Sequence, residues 1–507
     1  MNVKLAELLA SADGYTVHGG CELEIGGLSY DSRRVNAGDL FFSLARDAPQ
    51  REAHLREALG RGATAVVVER WSGSERPTAT LIEAGKPRHL MAAIAERFYN
   101  APSERIDLIG ITGTSGKTTS TYLLREIFEA AGTPAGIIGT IGVSFGGQQL
   151  SSGLTTPESI DFNRWLAEME TSGVRRVAAE ISSIGLEEGR AERLSFRAAM
   201  FTNLGRDHLD YHGTIENYFN AKLRLFTELL PRSRKFDPIA IVRGDDSWGQ
   251  RILAATRNHK VSFGLTSACD VYPLTYSAGI EGIRTEVQAL DQKIELSSPL
   301  LGNINLLNIL GAVALSSAFG IEKEAMVEGV SRFSGARGRM EVVPAKPGVT
   351  VIVDYAHKPE ALAGVLESLR ALGPRRLICV FGCGGDRDRG KRPLMGEIAG
   401  RLSDLPILTS DNPRSEDPLK IIAQVEAGLV ERSLKRIEEN AAKSQVGYVV
   451  EPDRRSAIAA SLRIAEPKDI IVIAGKGHED YQLVGNRKLK FDDRAVVQEL
   501  TGTAENK

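Results

Sequence analysis

A glycine-rich turn that ends in a lysine and two threonines has the clearest chemical meaning in this chain. It follows the apolar run Ile106–Ile111 and reads Thr112-Gly113-Thr114-Ser115-Gly116-Lys117-Thr118-Thr119. Glycines allow backbone N–H groups to surround a phosphate, and the first turn of the following helix adds the positive end of its dipole. Lys117 can reach the outer phosphates of a nucleotide, and the Thr118 hydroxyl can bind magnesium. An ordinary glycine-rich corner leaves the Lys-Thr-Thr sequence unexplained, so we predict a nucleotide site.

Carboxylate and imidazole side chains follow two further predicted strands. Glu180 ends the run Arg176–Glu180, and His208 lies between two aspartates after another apolar run. Ligands of open α/β sheets bind at the carboxyl ends of the strands, so Glu180 would lie beside the phosphate loop and hold a metal; the alternative is a carboxylate that faces water. A lone histidine is more often structural, so we predict a functional role for His208 and a structural role for His212.

Four other polar residues have weaker or ambiguous signals. The position of Lys222 on a predicted helix indicates a solvent-exposed lysine. Asn305 lies where an apolar helix begins, and it would either contact adenine or ribose or face solvent. Asp354 and His357 follow a strand, and they would either orient each other across a nucleotide or cap the next helix.

Three charged loops in the last third of the chain each follow a predicted parallel strand. They contain Arg387, Asp411-Asn412-Pro413-Arg414 and the segment from Gly475 to Glu479. Loops that follow parallel strands meet at one edge of the sheet. The planar guanidinium group binds carboxylates through two hydrogen bonds, so Arg387 and Arg414 indicate an anionic or zwitterionic ligand.

The elements that must position these residues indicate an α/β protein. A chain of 507 residues is too long for one hydrophobic core. Short apolar strands alternate with helical stretches, which is typical of parallel sheets covered by helices. The pattern divides into residues 1–88, 89–333 and 334–507. We therefore predict three α/β domains, of which the central one carries the phosphate loop.

Composition narrows the class of protein. The formal net charge is −2, and no apolar run is long enough for a transmembrane helix. Glu7 interrupts what would be the apolar part of a signal peptide, and the four cysteines are scattered, as is usual for free thiols. We expect a cytoplasmic protein that acts on small molecules, without nucleic acid or a membrane as a main partner.

Together these segments resemble the Mur ligase family over nearly the whole chain, and the phosphate loop is similar to that family's shortened ATP loop. The other matching segments are Leu154-Thr155-Thr156-Pro157, Glu180-Ile181-Ser182-Ser183, Asn203 to Asp210, Gly338-Arg339-Met340-Glu341, Asp354-Tyr355-Ala356-His357, Gly384 to Asp388, Asp411 to Arg414 and Gly475 to Glu479.

The resemblance implies both an architecture and a reaction. A first domain would bind a UDP-sugar, a central domain ATP, and a C-terminal Rossmann-like domain the incoming amino acid. ATP and magnesium would be required. The D-glutamyl carboxylate of UDP-N-acetylmuramoyl-L-alanyl-D-glutamate would be phosphorylated, and the amine of meso-diaminopimelate would attack the acyl phosphate, as part of peptidoglycan synthesis. A monomer is expected.

The resemblance also implies residue roles. The catalytic residues would be Lys117, Glu180, His208 and Lys222. ATP would be bound by Gly113, Thr114, Ser115, Gly116, Lys117, Thr118, Thr119, Asn305, Arg339, Asp354 and His357. The UDP-peptide would contact Tyr30, Ser32, Thr155, Thr156, Ser182, Glu188 and Arg190. Diaminopimelate would be held by Arg387, Asp411, Asn412, Pro413, Arg414, Gly475 and Glu479. Magnesium would be held by Thr118, Glu180, His208 and a carbamate on Lys222.

Two of the implied roles, those of Lys222 and Arg414, each make a specific chemical claim about one side chain. By resemblance Lys222 would be carbamylated, which disagrees with the surface lysine that its spacing indicates. Arg414 would bind the distal carboxylate of diaminopimelate, a group that lysine lacks. The chain also departs from the family pattern, because Ile184 stands where a histidine is frequent and Glu188 where a glutamine is frequent.

Alternatives remain open from the sequence. A sister ligase that adds L-lysine would need a different residue in place of Arg414. Folylpolyglutamate and cyanophycin ligases share the ATP core but should lack the first domain. A nucleotide-binding regulator without turnover is a further alternative, and the presence of Lys117, Glu180, His208 and Lys222 disfavours it.

Overall fold

The computed structural model of the chain describes residues 2–45, 47–71 and 77–503. It has three large sheets with helices packed on their faces, which confirms the predicted α/β architecture. Among the helices of these residues, none combines the length and the apolar composition needed to cross a bilayer.

The first sheet has five strands in the order β2-β7-β6-β5-β4, with β2 antiparallel at one edge. A separate pair, β1 and β3, lies beside it. The strands are β1 (Val3–Lys4), β2 (Tyr15–His18), β3 (Glu24–Ile25), β4 (Gly27–Ser29), β5 (Asp39–Phe42), β6 (Ala65–Val68) and β7 (Thr80–Ala84), and the helices are α1 (Leu5–Leu9), α2 (Ala48–Gly60) and α3 (Pro87–Phe98).

The central sheet has eleven strands in the order β11-β10-β9-β12-β8-β13-β14-β15-β16-β17-β18. Its middle strands are parallel and mainly apolar, with charged residues confined to positions near their ends, because helices cover both faces. The strands are β8 (Asp107–Thr112), β9 (Ala135–Gly139), β10 (Gly142–Phe145), β11 (Gln148–Leu150), β12 (Arg176–Glu180), β13 (Phe196–Phe201), β14 (Ile239–Arg243), β15 (His259–Phe263), β16 (Val271–Gly279), β17 (Gly282–Ala289) and β18 (Gln292–Ser298). The helices are α4 (Lys117–Ala130), α5 (Ser159–Thr171), α6 (Ser183–Glu187), α7 (Leu209–His212), α8 (Ile215–Arg224), α9 (Ser247–Ala255), α10 (Gly302–Ala318) and α11 (Lys323–Arg332).

The last sheet has six strands in the order β19-β20-β24-β21-β22-β23, all parallel except β19, and a hairpin of β25 and β26 lies apart from it. The strands are β19 (Glu341–Val343), β20 (Thr350–Asp354), β21 (Leu377–Phe381), β22 (Leu405–Leu408), β23 (Val449–Val450), β24 (Ile470–Ala474), β25 (Tyr481–Val484) and β26 (Arg487–Lys490). The helices are α12 (Pro359–Arg370), α13 (Lys391–Leu402), α14 (Pro418–Glu431), α15 (Arg454–Ile464) and α16 (Asp493–Thr501).

Strand order decides which loops become neighbours. In the central sheet β8 lies between β12 and β13, so the phosphate loop is flanked by the segments that contain Glu180 and His208. In the last sheet β24 lies between β20 and β21, and β22 follows. The loops after β20, β24, β21 and β22 therefore share one edge, since these strands are parallel.

The proposed division at residue 88 falls on the second residue of α3. Buried side chains of this helix, such as Met91 and Ile94, pack in the first core together with Ile160 of α5. Helix α3 is therefore the element on which the first and central parts meet. The divisions at 88 and 333 remain proposals.

Candidate functional site

The phosphate loop joins β8 to α4 and can be built only with glycine at two positions. Gly113 has φ +150°, and a Cβ atom there would lie 2.0 Å from Thr202 Oγ1. Gly116 has φ +86°, and a Cβ atom there would lie 2.3 Å from Asn308 Oδ1. L-residues with a side chain rarely adopt such φ angles. The loop is thus enclosed by the segment after β13 on one side and by α10 on the other.

Hydrogen bonds from the segment after β13 fix the shape of the loop. Ser115 N donates to Asn203 Oδ1 (2.9 Å), and Asn203 Nδ2 donates back to Ser115 O (3.1 Å). Thr114 N donates to Asn203 O (3.0 Å), and its hydroxyl lies 3.1 Å from the Tyr218 hydroxyl on α8. Thr119 is buried in the first turn of α4. The backbone that would surround a phosphate is therefore held in place by the protein itself.

Two lysines meet at one carbonyl of this loop. Lys117 Nζ donates to Gly113 O (2.8 Å) and Thr114 O (3.0 Å), and Lys222 Nζ donates to the same Gly113 O (3.0 Å). Lys222 is 1% exposed, so the surface position expected from its spacing on α8 is wrong. Burial, together with the nearby Lys117 ammonium, lowers the pKa of Lys222 well below its usual value. Burial also lowers the pKa of Lys117. A local signal was present, because Lys222 lies three residues after Phe219 and four after Tyr218 and so shares the buried face of α8.

Glu180 lies beside the loop as predicted from strand order, and it is 1% exposed. Its Oε1 accepts hydrogen bonds from Thr118 Oγ1 (2.9 Å) and Thr140 N (3.0 Å), and its Oε2 accepts one from Thr140 Oγ1 (2.9 Å). Gly139 leaves the space that this carboxylate fills, since a Cβ there would lie 2.4 Å from Oε1. A buried carboxylate next to a threonine hydroxyl offers the hard oxygen donors that magnesium prefers.

His208 lies in the segment after β13, at the start of α7, with φ +53°. Asp207 holds it in this conformation: His208 N donates to Asp207 Oδ1 (2.8 Å), and His208 Nε2 lies 3.4 Å from Asp207 Oδ2. Burial lowers the pKa of His208, which favours the neutral imidazole. Within the described residues, no three His, Cys, Asp or Glu side chains converge as a ready metal site. Of the predicted magnesium ligands, only Glu180 and His208 are of these residue types. The other two ligands would be the Thr118 hydroxyl and a carbamate on Lys222.

The C-terminal residues predicted for ATP form a compact cluster after β20. Asp354 accepts hydrogen bonds from Met340 N (2.7 Å) and Ala356 N (2.8 Å), and burial raises its pKa. The Tyr355 ring packs against the Arg339 guanidinium (4.7 Å to the ring centroid) and against the His357 ring (4.6 Å between centroids). Burial lowers the pKa of His357 to about 4.

The predicted capping of α12 by Asp354 or His357 is wrong, and their orientation of each other across a nucleotide stays a prediction. Asp354 binds backbone N–H groups, His357 Nδ1 lies 2.8 Å from Tyr355 O, and the N-cap of α12 is Lys358, which makes no side-chain capping bond. Asn305 is buried rather than exposed; its Nδ2 donates to Leu301 O (2.9 Å) and its Oδ1 accepts from Asn308 Nδ2 (3.1 Å). Asn305 therefore reaches the phosphate loop through Asn308, which lies against Gly116.

The loops after β21, β22 and β24 lie side by side. Arg414 has φ +52°, and its Nη1 donates to Gly385 O (2.8 Å) in the first loop. Asn412 Nδ2 donates to Glu479 Oε2 (2.9 Å) in the third, and Pro413 O packs against Gly385, where a Cβ would lie 1.9 Å away. Gly475, with φ +121°, passes beside Asp411.

The charges of these loops are arranged around a buried lysine. Lys476 is 0% exposed, and its Nζ lies 3.5 Å from Asp411 Oδ1 and 3.6 Å from Glu479 Oε2. Burial raises the pKa of Glu479. Arg387 is exposed and bonds only to the neighbouring Asp386 O (3.2 Å) among the described contacts. The three neighbouring loops thus carry both carboxylates and guanidinium groups.

Most residues predicted for the UDP-peptide lie near Glu180. Thr155 Oγ1 lies 3.1 Å from Thr140 Oγ1, and Thr156 Oγ1 donates to Glu180 O (2.9 Å). Ser182 caps α6 by accepting a hydrogen bond from Gly185 N (3.0 Å). Arg190 donates to Thr156 O (3.3 Å) and pairs with Glu188 (2.8 Å).

Tyr30 and Ser32 belong to the first part of the chain, and the hydroxyl group of each donates a hydrogen bond to a carboxylate. The Tyr30 hydroxyl donates to Asp161 Oδ2 (2.5 Å) on α5, and Ser32 Oγ donates to Glu57 Oε2 (2.7 Å) on α2. Burial and the Asp161 carboxylate raise the pKa of Tyr30. Glu158 lies between the two groups, because its charge acts on Tyr30 and its carboxylate lies 3.3 Å from Arg190, which donates to Thr156 O.

Sequence reasoning missed several residues that shape the site. They are Thr140, Asn308, Tyr355, Arg392, Lys476 and His478. Tyr355, Lys476 and His478 belong to segments that the resemblance singles out, whereas Thr140, Asn308 and Arg392 join the site through contacts in space. His478 could have been found, because it belongs to the segment from Gly475 to Glu479, and its ring lies 4.8 Å from that of Tyr355.

Comparison with known proteins agrees with this geometry. The family models for the Mur ligase middle domain and for the Mur ligase glutamate ligase domain match residues 111–316 and 338–477. The UDP-N-acetylmuramoyl-L-alanyl-D-glutamate--2,6-diaminopimelate ligases of Solibacter usitatus and Geobacter metallireducens are 40% and 41% identical, over 94% and 98% of both chains. A solved structure of a ligase with this name has a TM-score of 0.69 at 31% identity, over 99% of both chains.

The fold and the site define an α/β protein with a phosphate loop at the edge of one parallel sheet and a set of charged loops at the edge of a second sheet. Relatives that are about 40% identical over nearly the full length of the chain establish its family. The chain belongs to the Mur ligase family.

Replacement of Gly113 by alanine should weaken nucleotide binding. The added Cβ would meet Thr202 Oγ1 and require a positive φ, so the loop would have to open; we expect the Kd for ADP, measured by calorimetry, to rise at least tenfold, or about 1.4 kcal/mol. Gly205→Ala is the matched control, since its Cβ would meet only Thr114 Cγ2 at 3.8 Å. ADP affinity in Gly113→Ala equal to that of the wild type would contradict this account of the loop.

Proposed function

We propose that this chain is the ATP-dependent ligase that joins meso-2,6-diaminopimelate to UDP-N-acetylmuramoyl-L-alanyl-D-glutamate. Two observations support the proposal. Relatives with this name are about 40% identical over nearly the whole chain, and Arg414 lies in the charged loops of the last sheet, whose neighbouring residue Lys358 pairs with Asp207 beside the phosphate loop. The carrying observation is Arg414, because its side chain is held by Gly385 O at the edge where an acceptor would enter.

The reaction would proceed in two transfers. The D-glutamyl carboxylate attacks the γ-phosphorus of ATP, and ADP leaves as an acyl phosphate forms. An amine of diaminopimelate then attacks the acyl carbon, phosphate leaves, and the ammonium proton passes to a base. Lys117 and the loop amides would stabilise the charge of the transferring phosphoryl group. Thr118 and Glu180, with His208 and Lys222, would hold magnesium, which supplies further charge neutralisation at the phosphates.

Lys222 is proposed to act as a carbamate. Carbamylation needs a neutral amine, which attacks CO₂ and releases a proton, and the lowered pKa of Lys222 favours that form. Conversion of the amine to an anionic carbamate would also replace the repulsion between Lys222 and Lys117 at Gly113 O by attraction.

Lys222→Ala should reduce kcat at least a hundredfold, since it removes the anion proposed to share the site with Lys117. Short carboxylic acids such as acetate should restore part of the activity of this variant but not affect the wild type. The measurement is phosphate release at saturating substrates. Full activity of Lys222→Ala, or a loss that no added carboxylate restores, would contradict the carbamate.

Arg414 is proposed to select the acceptor through its distal carboxylate. Arg414→Ala should raise the KM for diaminopimelate by about thirtyfold or more, or about 2 kcal/mol, because a charge-assisted pair is lost, while the KM for ATP stays nearly unchanged. Arg455→Ala is the control, since its pair with Glu499 lies on the exposed faces of α15 and α16. Equal increases in both KM values in Arg414→Ala would contradict the assignment.

Phosphate release with UDP-N-acetylmuramoyl-L-alanyl-D-glutamate and ATP tests the function itself. We expect release with meso-diaminopimelate and little or none with L-lysine. A preference for lysine would retain the ligase and refute the role of Arg414. No phosphate release with either acceptor, together with binding of ADP, would favour a nucleotide-binding regulator.

Each of the three parts of the chain is proposed to bind one substrate. The first part of the chain would bind the UDP-sugar, the central part ATP, and the last part diaminopimelate, with divisions at residues 88 and 333. The four cysteines are unpaired, which is compatible with the reducing cytoplasm in which we propose that the chain acts as a monomer.

A further inference from the structure

One ion pair joins the central and last sheets at the candidate site. Lys358, the N-cap residue of α12, pairs with Asp207 in the segment after β13. The two side chains are 33% and 18% exposed, so the pair is partly withdrawn from water. Ion pairs in such surroundings are screened less than those on an open surface.

Each end of this pair is attached to predicted site residues. Asp207 accepts the hydrogen bond from His208 N (2.8 Å) that holds the positive φ of that histidine. Lys358 follows His357, whose ring packs on the Tyr355 ring. Tyr355 also contacts the guanidinium group of Arg339. Movement at either end would therefore shift both the His208 segment and the cluster after β20.

The pair is also close to the phosphate loop. The charges of Asp207, Arg339 and Lys358 all act on the Lys117 ammonium, which places the edge of the last sheet within electrostatic range of the position expected for the outer phosphates. In the other direction, Lys391 at the start of α13 donates to His357 O (2.8 Å), and α13 follows the loop with Arg387. A continuous chain of contacts thus connects Asp207 to the acceptor loops.

We propose that Lys358 is a positioning residue, whose ion pair with Asp207 sets the acceptor-binding edge of the last sheet against the phosphate loop. The inference rests on the proposed function, because it concerns the transfer between an acyl phosphate and an amine held by different sheets. Misplacement by about 1 Å can lower the rate of such a transfer a hundredfold. Lys358 itself needs no contact with the reacting atoms.

Four variants and one control test this role. They are Lys358→Met, Lys358→Arg, Asp207→Asn, the double variant Asp207→Asn/Lys358→Met, and the control Arg370→Met. Arg370 ends the same helix, and its pair with Asp404 (2.8 Å) lies within the last part of the chain. The control therefore removes an ion pair of α12 without touching the contact between the sheets.

We expect Lys358→Met to lower kcat/KM for the acceptor at least tenfold and to change the Kd for ADP less than threefold. Lys358→Arg should recover most of the activity, because a guanidinium can still pair with Asp207. In the Asp207→Asn background the Lys358→Met change should have no more than a twofold further effect, since its partner is already gone. Thermal unfolding should be unchanged in Lys358→Met and Arg370→Met.

Several outcomes would overturn the proposal. Activity of Lys358→Met within twofold of the wild type would do so, and so would an undiminished tenfold effect in the Asp207→Asn background. If the wild type released no phosphate with any acceptor, the proposed function would fail. The structural role of the Lys358–Asp207 pair would then be tested by small-angle scattering of the substrate-free chain. A wider distance distribution in Lys358→Met than in Arg370→Met supports the pair as the link; identical distributions refute it.

Discussion

The carbonyl oxygen of Gly113 is the point on which the candidate site depends. It accepts hydrogen bonds from both Lys117 and Lys222, so two side chains that would each carry a positive charge meet at one oxygen. This close approach is possible only because Gly113 has no Cβ and adopts a positive φ against Thr202. Burial lowers the pKa of Lys222, and the nearby positive charge of Lys117 lowers it further. The shape of the phosphate loop and the meeting of its two lysines thus both depend on one backbone position.

The acceptor side is organised by a second buried cation. Arg392 is 0% exposed; it pairs with Glu416 (2.9 Å) and donates to Gly384 O (3.1 Å). Glu416 in turn accepts a hydrogen bond from Asp386 N (2.7 Å), so the loops after β21 and β22 are cross-linked before any ligand arrives. The Arg392 guanidinium lowers the pKa of Glu416 to about 2, which keeps this link intact over the physiological pH range. A preorganised pocket lowers the entropic cost of ordering loops around a flexible amino acid.

The first and central parts are joined by charges rather than by apolar contact alone. Arg88 on α3 and Arg190 after α6 both approach Glu158, at 3.1 and 3.3 Å, and both also contact Glu188. Two cations and two anions balance each other, which is what burial of such groups requires. Glu188 stands where the family frequently has glutamine, and here its charge belongs to this balanced set. The departure from the family pattern is therefore compensated locally.

The sequence by itself determined the α/β class, most central strands, and the phosphate loop, because apolar periodicity and the Gly-x-x-Gly-Lys-Thr spacing are local signals. Strand β12 and strand β22 lie where their apolar runs predict them. Adjacency of Glu180 and the loop also followed, since parallel strands end at one edge. Only the tertiary structure decided that Lys222 meets the carbonyl of Gly113, that Asn308 lies against Gly116, and that Lys358 meets Asp207. These contacts join residues far apart in sequence, and their energies depend on burial, which no local pattern records.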